Sequence, residues 1–237
     1  MSCLPSYRGF ADRKVESALY GVLQRRFLNE PKECDRVVGD LLAKLLPERN
    51  DVLVLDVGCG NGQALKHLSE RFLTWTFSGI DLRPVAGVEV WPGAQFKVAD
   101  LFDHEPVLPM DVIVCQSVTY SFTDEQFASA LTRFRWWLKP GGIVILFDMF
   151  TPWEQHLTIT EKSRLHPDGH PLNVRPYSML REYATNAGLE VLEIRPFTYT
   201  GGTHWDDPHD LRSYHEGGFT MRGCFNQTQA HVVLVAV

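Results

Sequence analysis

Apolar positions along this chain follow two periods. Strand-like runs occur at residues 51–55, 75–80, 95–99, 110–115, 143–147, 190–197 and 231–237, most of them bounded by turn-forming or charged residues. The first is a short continuous apolar run, the mark of a buried strand. Between the runs the spacing is helical. Residues 63–70 carry Ala64, Leu65 and Leu68 on one side. Thr123 opens a second helix, with Gln126 three residues on completing a capping box and Phe127, Leu131, Phe134 and Leu138 as its apolar face. A third starts at Tyr177 or Ser178, turns Leu180, Tyr183, Ala184 and Ala187 inward and stops at Gly188. Strands alternating with helices predict an α/β domain on a parallel sheet.

Before residue 50 the pattern is helical throughout. Val15, Leu19, Val22 and Leu23 form one stripe; after Pro31, Val37, Val38, Leu41, Leu42 and Leu45 form another, ending at Pro47. The expected organisation is an N-terminal helical cap over 1–50 and one α/β domain over 51–237. Two stretches lack either period. Residues 149–175 are broken by Pro152, Pro167, Gly169 and Pro171, with Pro176 beyond, and residues 201–228 are equally irregular. Loops of that length inside a compact domain are usually functional.

Composition narrows the class. A chain of 237 residues, 44% apolar, can bury a full core as one domain. A net charge of −6 supplies no basic stripe, which argues against nucleic acid as a partner. Five widely spaced cysteines with no C-x-x-C pair predict neither a disulfide framework nor a structural zinc; they fit a reducing, cytoplasmic setting. No leader-like apolar segment or membrane-length run is expected.

The chemistry centres on Asp56-Val57-Gly58-Cys59-Gly60-Asn61-Gly62. Strand, glycine turn and helix together present backbone to a bound cofactor. Gln63 stands where a dinucleotide fingerprint would have its third glycine. Asp56, at the strand end, would repel a phosphate but not a cation. Asp81, about 20 residues past the turn at the next strand end, is at the distance at which an acid grips a ribose; the competing reading is a surface or capping aspartate.

The stretch resembles motif I of the class I S-adenosylmethionine-dependent methyltransferases, whose cofactor has no phosphate and carries an ammonium and a sulfonium. The resemblance extends over Asp81, over Asp100-Leu101 after the third strand and over Leu138-Lys139-Pro140-Gly141-Gly142 before the fifth, about two-fifths of the chain. It implies a three-layer Rossmann-like fold: a seven-stranded, mostly parallel sheet with an antiparallel last strand, plus the N-terminal helical cap and loop insertions. It also implies S-adenosyl-L-methionine as cofactor and S-adenosyl-L-homocysteine as product. Cofactor-facing residues would be Asp56, Gly58, Cys59, Gly60, Asp81, Leu82, Asp100, Leu101 and Gln116. For Asp100, a role on the adenine amino group competes with simple capping of the turn that follows. Gly141 is expected to stop the helix that ends at Leu138.

The loop after the fourth strand, Gln116 to Phe122, should face the transferred methyl group. It lacks the Asp/Asn-Pro-Pro-Tyr/Phe of nucleobase amino-methyltransferases, which favours a small-molecule acceptor. Expected catalytic residues are His156 as base, where the acceptor must lose a proton, and Tyr120 to orient it. Expected substrate-binding residues are Tyr20, on a helix that could fold over the cofactor as a lid, with Trp153, His170, His204 and Trp205. In the family the connection between the last two strands is short, so its length here predicts an insertion closing one side of the pocket. No metal is expected: Asp148 is followed by Met149 rather than the asparagine of metal-dependent relatives, and the His204 to Asp210 loop has no fixed ligand motif. Competing functions are methyl transfer to protein or RNA, an NAD(P)-dependent oxidoreductase, and a binding protein without turnover.

Overall fold

A computed structural model describes residues 31–82, 94–161, 169–197, 212–216, 219–223 and 228–237. Its main sheet has seven strands: β1 (Leu53–Val57), β2 (Thr76–Asp81), β3 (Ala94–Val98), β4 (Met110–Gln116), β5 (Leu138–Asp148), β9 (Leu189–Phe197) and β12 (Gln229–Ala236). Their spatial order is β3-β2-β1-β4-β5-β12-β9. The first five strands run parallel. β12 is antiparallel to both β5 and β9, the topology expected from the sequence.

Side chains alternate between faces along each strand, and this splits the core in two. Val54, Val112, Val114, Ile145 and Val233 face α1 (Glu33–Leu45) and α2 (Gln63–Arg71) through Val38, Leu41, Leu42, Leu65 and Leu68. Leu55, Ile113, Leu146 and Leu234 face α3 (Asp124–Trp137) and α4 (Tyr177–Asn186) through Phe127, Leu131, Phe134, Leu180 and Ala184. Helix α1 therefore belongs to the same core as the sheet. Residues 1–30, the remainder of the expected cap, lie outside the described residues.

Helix α3 begins as expected: Gln126 N–H donates to Thr123 Oγ1 (3.3 Å) and Thr123 N–H to Gln126 Oε1 (2.9 Å). Its end differs. The helix stops at Trp137, Leu138 is already extended, and β5 runs on through Gly141. Gly141, at φ +72°, accommodates an irregularity in pairing with β4 rather than a helix stop. Pro31 stands just outside α1, before the cap residue Lys32.

The largest correction is at 149–175. This stretch holds β6 (Phe150–Thr151), β7 (Leu157–Glu161) and the start of β8 (His170–Pro176), which form a second sheet in the order β6-β8-β7. Its prolines do not break it, because Pro171 and Pro176 lie near the strand's two ends. The second irregular stretch holds a hairpin of β10 (Arg212–Glu216) and β11 (Phe219–Gly223).

At the carboxyl edge of the parallel strands, Gln116, Phe147 and His231 occupy one row across β4, β5 and β12. His231 is fully buried, stacks on Phe147 with centroids 4.5 Å apart, and donates from Nε2 to the Cys34 carbonyl at 3.2 Å. Burial holds its imidazole down at about 4 against the opposing effect of that hydrogen bond. A ring kept neutral in the fold but protonated in the unfolded chain contributes its stability above pH 6.5 and loses it as pH falls toward 4. Urea unfolding should show a loss of about 2–3 kcal/mol between pH 7.5 and 4.5 from this group, and a shallower decline in His231→Phe.

Candidate active site

Alternation places Asp56, Asp81 and Gln116 on the α1/α2 face at the carboxyl edge, each within the last two residues of its strand. The turn after β1 is shaped by protein contacts. Gly58 (φ +77°) lies so close to Val118 that a Cβ would sit 2.2 Å from its Cγ2, and at Gly62 (φ +75°) a Cβ would strike Phe96. Gly60 (φ +54°) differs: among the described residues a Cβ there would meet nothing within 4 Å, so with respect to them the turn is open at this residue.

Four of the turn's amides are already used. Gly58 and Cys59 N–H both donate to the Ile80 carbonyl, at 2.8 and 3.1 Å, and Gly62 N–H donates to Cys59 O at 2.9 Å. Gly60 N–H donates to Asp81 Oδ2 at 2.9 Å. Asp81 therefore ties the tip of β2 to the turn.

A third carboxylate, which the sequence reading missed, comes from α1. Asp35 is buried; its Oδ1 accepts from Gln116 Nε2 (3.1 Å) and its Oδ2 from Lys32 N–H (3.2 Å). Asp56 is 3% exposed. Burial first, then the charges of Asp35 and Asp81, push its carboxyl up to about 8, with Lys32 opposing. Gln116 Oε1 is buried and meets no hydrogen-bond partner among the described residues. Three acids, one unsatisfied carbonyl oxygen and a glycine turn open at Gly60 suit a cationic nucleoside with a free amine. They do not suit a phosphate, for which the turn would have to offer N–H groups. The expected cofactor-binding residues Asp56, Gly58, Cys59, Gly60, Asp81 and Gln116 are thus brought together, and Leu82 follows directly on β2. Asp100, after β3, accepts the Phe102 N–H at 2.9 Å, the contact of the capping reading, and Leu101 is buried.

On the other face, the loop after β4 forms a short 3-10 turn, Thr119–Ser121. Asp148 anchors it, accepting from Thr119 Oγ1 (2.7 Å), Tyr120 N–H (3.0 Å) and Met149 N–H (2.9 Å). Burial raises the Asp148 carboxyl although these bonds lower it. The Tyr120 ring is buried edge-on against His170, centroids 6.0 Å apart, in a cluster with Met149, Leu172 and Val174. His156 is elsewhere: it is exposed, and its Nδ1 lies 3.4 Å from Asp124 Oδ2 at the start of α3. Trp153 is half exposed, its N–H on Thr151 Oγ1. Tyr20, His204, Trp205 and the rest of the 204–210 loop lie outside the described residues.

Residues 27–194 match a family model described as a methyltransferase domain. The chain belongs to this family. Among similar proteins are trans-aconitate 2-methyltransferases of Azoarcus sp. (strain BH72), 29% identical over 127 residues (52% of this chain, 48% of that one), and of Methylobacterium nodulans, 31% identical over 120 residues (49% and 45%). The chain spans about half the length of the curated relatives it matches. The fold is shared with a Burkholderia thailandensis 1,6-didemethyltoxoflavin-N1-methyltransferase (TM-score 0.65, 11% identity, 100% of this chain and 93% of that one). It is shared also with an N-methyltransferase of Bradyrhizobium japonicum (TM-score 0.59, 14% identity, 98% and 99%).

A raised carboxyl destabilises the ligand-free methyltransferase domain wherever it must ionise. Its contribution to stability is intact below the ordinary value of 3.8 and is lost as pH rises through about 8. Asp56→Asn should therefore raise Tm by ~5–10 °C at pH 8 and leave it unchanged near pH 4, as read by scanning fluorimetry without ligand.

Proposed function

We propose that this chain transfers the methyl group of S-adenosylmethionine to an oxygen or nitrogen of a small organic acceptor. The observation that carries the reading is the buried carboxylate Asp56, flanked by Asp35 and Asp81, beside a glycine turn whose Gly58, Cys59, Gly60 and Gly62 amides are satisfied by protein. That arrangement favours a cation and disfavours the pyrophosphate of a nicotinamide cofactor.

When bound, the cofactor supplies a methyl group on a sulfonium whose charge disappears as the methyl leaves, so exclusion of water favours the step. Asp56 and Asp35 provide the negative field that retains the cation. Asp81 keeps one oxygen on Gly60 N–H and directs its carboxylate to the ribose hydroxyls; Asp100 and Leu101 serve the adenine; Cys59, Leu82 and Gln116 complete the wall. The acceptor is held by Tyr120, His170 and Trp153, and alignment of its nucleophilic atom supplies much of the acceleration. With the cofactor held there, the acceptor atom would bond to the methyl carbon as that carbon parted from sulfur, and S-adenosylhomocysteine would be the product. A carboxylate acceptor needs no base. A hydroxyl or protonated amine does, and His156, paired with Asp124, is the group assigned to take that proton.

The name shared by the trans-aconitate 2-methyltransferases supports a small carboxylic acid as the first acceptor to test. The spaced cysteines support a cytoplasmic setting. Among the described residues no helix is long and apolar enough to cross a membrane.

Calorimetry with S-adenosylmethionine should show binding that tightens from pH 6.5 to 8.5 and releases a proton below pH 8, as the cation draws Asp56 into its charged form. Asp56→Ala and Asp81→Ala should each weaken binding by about tenfold or more; unchanged affinity in both would overturn the cofactor assignment. Labelled methyl groups should appear in trans-aconitate or in the small-molecule fraction of an extract. Label in protein or RNA would move the acceptor to a polymer.

A further inference from the structure

Arg175 is the largest fully buried side chain among the described residues. A buried guanidinium is retained only where its fork of donors is matched by acceptors. Here Nη1 donates to Thr119 O (2.9 Å), Nη2 to Phe122 O (2.6 Å) and Nε to Asp124 Oδ1 (3.1 Å). The cation also lies 4.5 Å from the Phe127 ring centre. All three acceptors belong to residues 119–124, the segment that leaves the carboxyl end of β4. Two residues earlier on the same face of β8, Asn173 Nδ2 donates to Tyr120 O (3.2 Å) and Phe122 O (2.9 Å). Asp148 takes the Tyr120 N–H from the opposite side. The backbone of Tyr120 is thus pinned at both its amide and its carbonyl, while its ring meets His170 at the start of the same strand.

Asp124 is shared. One oxygen accepts from Arg175 and the other faces His156 Nδ1 at 3.4 Å. His156 directly precedes β7, which pairs with β8 from Leu157↔Val174 onward. We propose that Arg175 is a positioning residue that couples Tyr120 to His156, so that the β6-β8-β7 sheet sets both acceptor-side groups at once. The inference rests on reading this edge as the acceptor side of a methyltransferase site. A guanidinium is suited to the task because its donors are fixed in one plane: a shift of β8 that keeps the hydrogen bonds must carry Thr119, Phe122 and Asp124 together. A lysine would keep the charge and lose the fork.

The test uses the full chain carrying 3-fluorotyrosine and 15N-histidine. The Tyr120 fluorine signal is assigned with Tyr120→Phe and the His156 Nδ1 signal with His156→Gln. In Arg175→Lys both signals should shift, while calorimetric affinity for S-adenosylhomocysteine stays unchanged, since the glycine turn is built without Arg175. Asp124→Asn, a change at a partly exposed side chain, should also move both signals and serves if Arg175→Lys does not fold. A shift confined to His156 in Asp124→Asn, or wild-type positions for either signal in a folded Arg175→Lys, would overturn the coupling. Absence of S-adenosylhomocysteine binding in the wild type would instead overturn the methyltransferase reading, and the coupling would still be read from the two signals.

Discussion

A desolvated carboxylate at the tip of the first strand is the constraint around which this chain is built. Strand alternation puts Asp56 on the same face as Val54 of β1, and its side chain is buried there. The neighbours make matters worse: Asp35 and Asp81 are both close enough to raise its carboxyl further, and Lys32 opposes them. A core selected for stability alone would place a neutral group here. Retaining the acid is favourable only if something positive arrives, and the open side of the turn at Gly60 is where it can. Stability surrendered at a functional site in this way is a common arrangement.

The rest of the edge follows from how that acid is surrounded. The turn after β1 is a poor anion cradle, because the N–H groups of Gly58, Cys59, Gly60 and Gly62 close onto Ile80, Asp81 and Cys59. Helix α1 is tied over the same region at two points. Asp35 bonds Gln116 of β4, and the Cys34 carbonyl receives His231 of β12. The first turn of α1 thus bridges β4 and β12, strands that are far apart in sequence and separated in the sheet by β5 alone. This is why the helix counts as part of the site and not simply as a packing layer.

Much of this was legible in the sequence. The seven strands, the glycine turn, Asp56 and Asp81 are specified by patterns that span a few residues each: apolar runs, a positive-φ glycine, an acid at a strand end. What was illegible depends on contacts between distant segments. Asp35 looks like any acid in a first helical turn, and only the packing of α1 on β4 makes it a site residue. Strand β8 was hidden because prolines near its two ends resemble breaks, whereas its pairing with β7 requires no N–H from Pro171 or Pro176. Gly141 was misread because a glycine after a helix resembles a stop, while pairing with β4 draws the strand through it.

The two sides of the site are therefore held by different physics. The proposed cofactor side is local: residues 56 to 81 contain a turn fixed by glycines and by one carboxylate–amide bond. The proposed acceptor side is long-range. Thr119, Tyr120, Phe122 and Asp124 are positioned by Asp148, Asn173 and Arg175, between 28 and 56 residues further along. Side-chain hydrogen bonds from a separate small sheet can be re-aimed by changes in that sheet without touching the glycine turn or the parallel strands. A chain organised in this way can change what it accepts while keeping what it binds, which is why its motifs specify the cofactor side and leave the acceptor to be found by experiment.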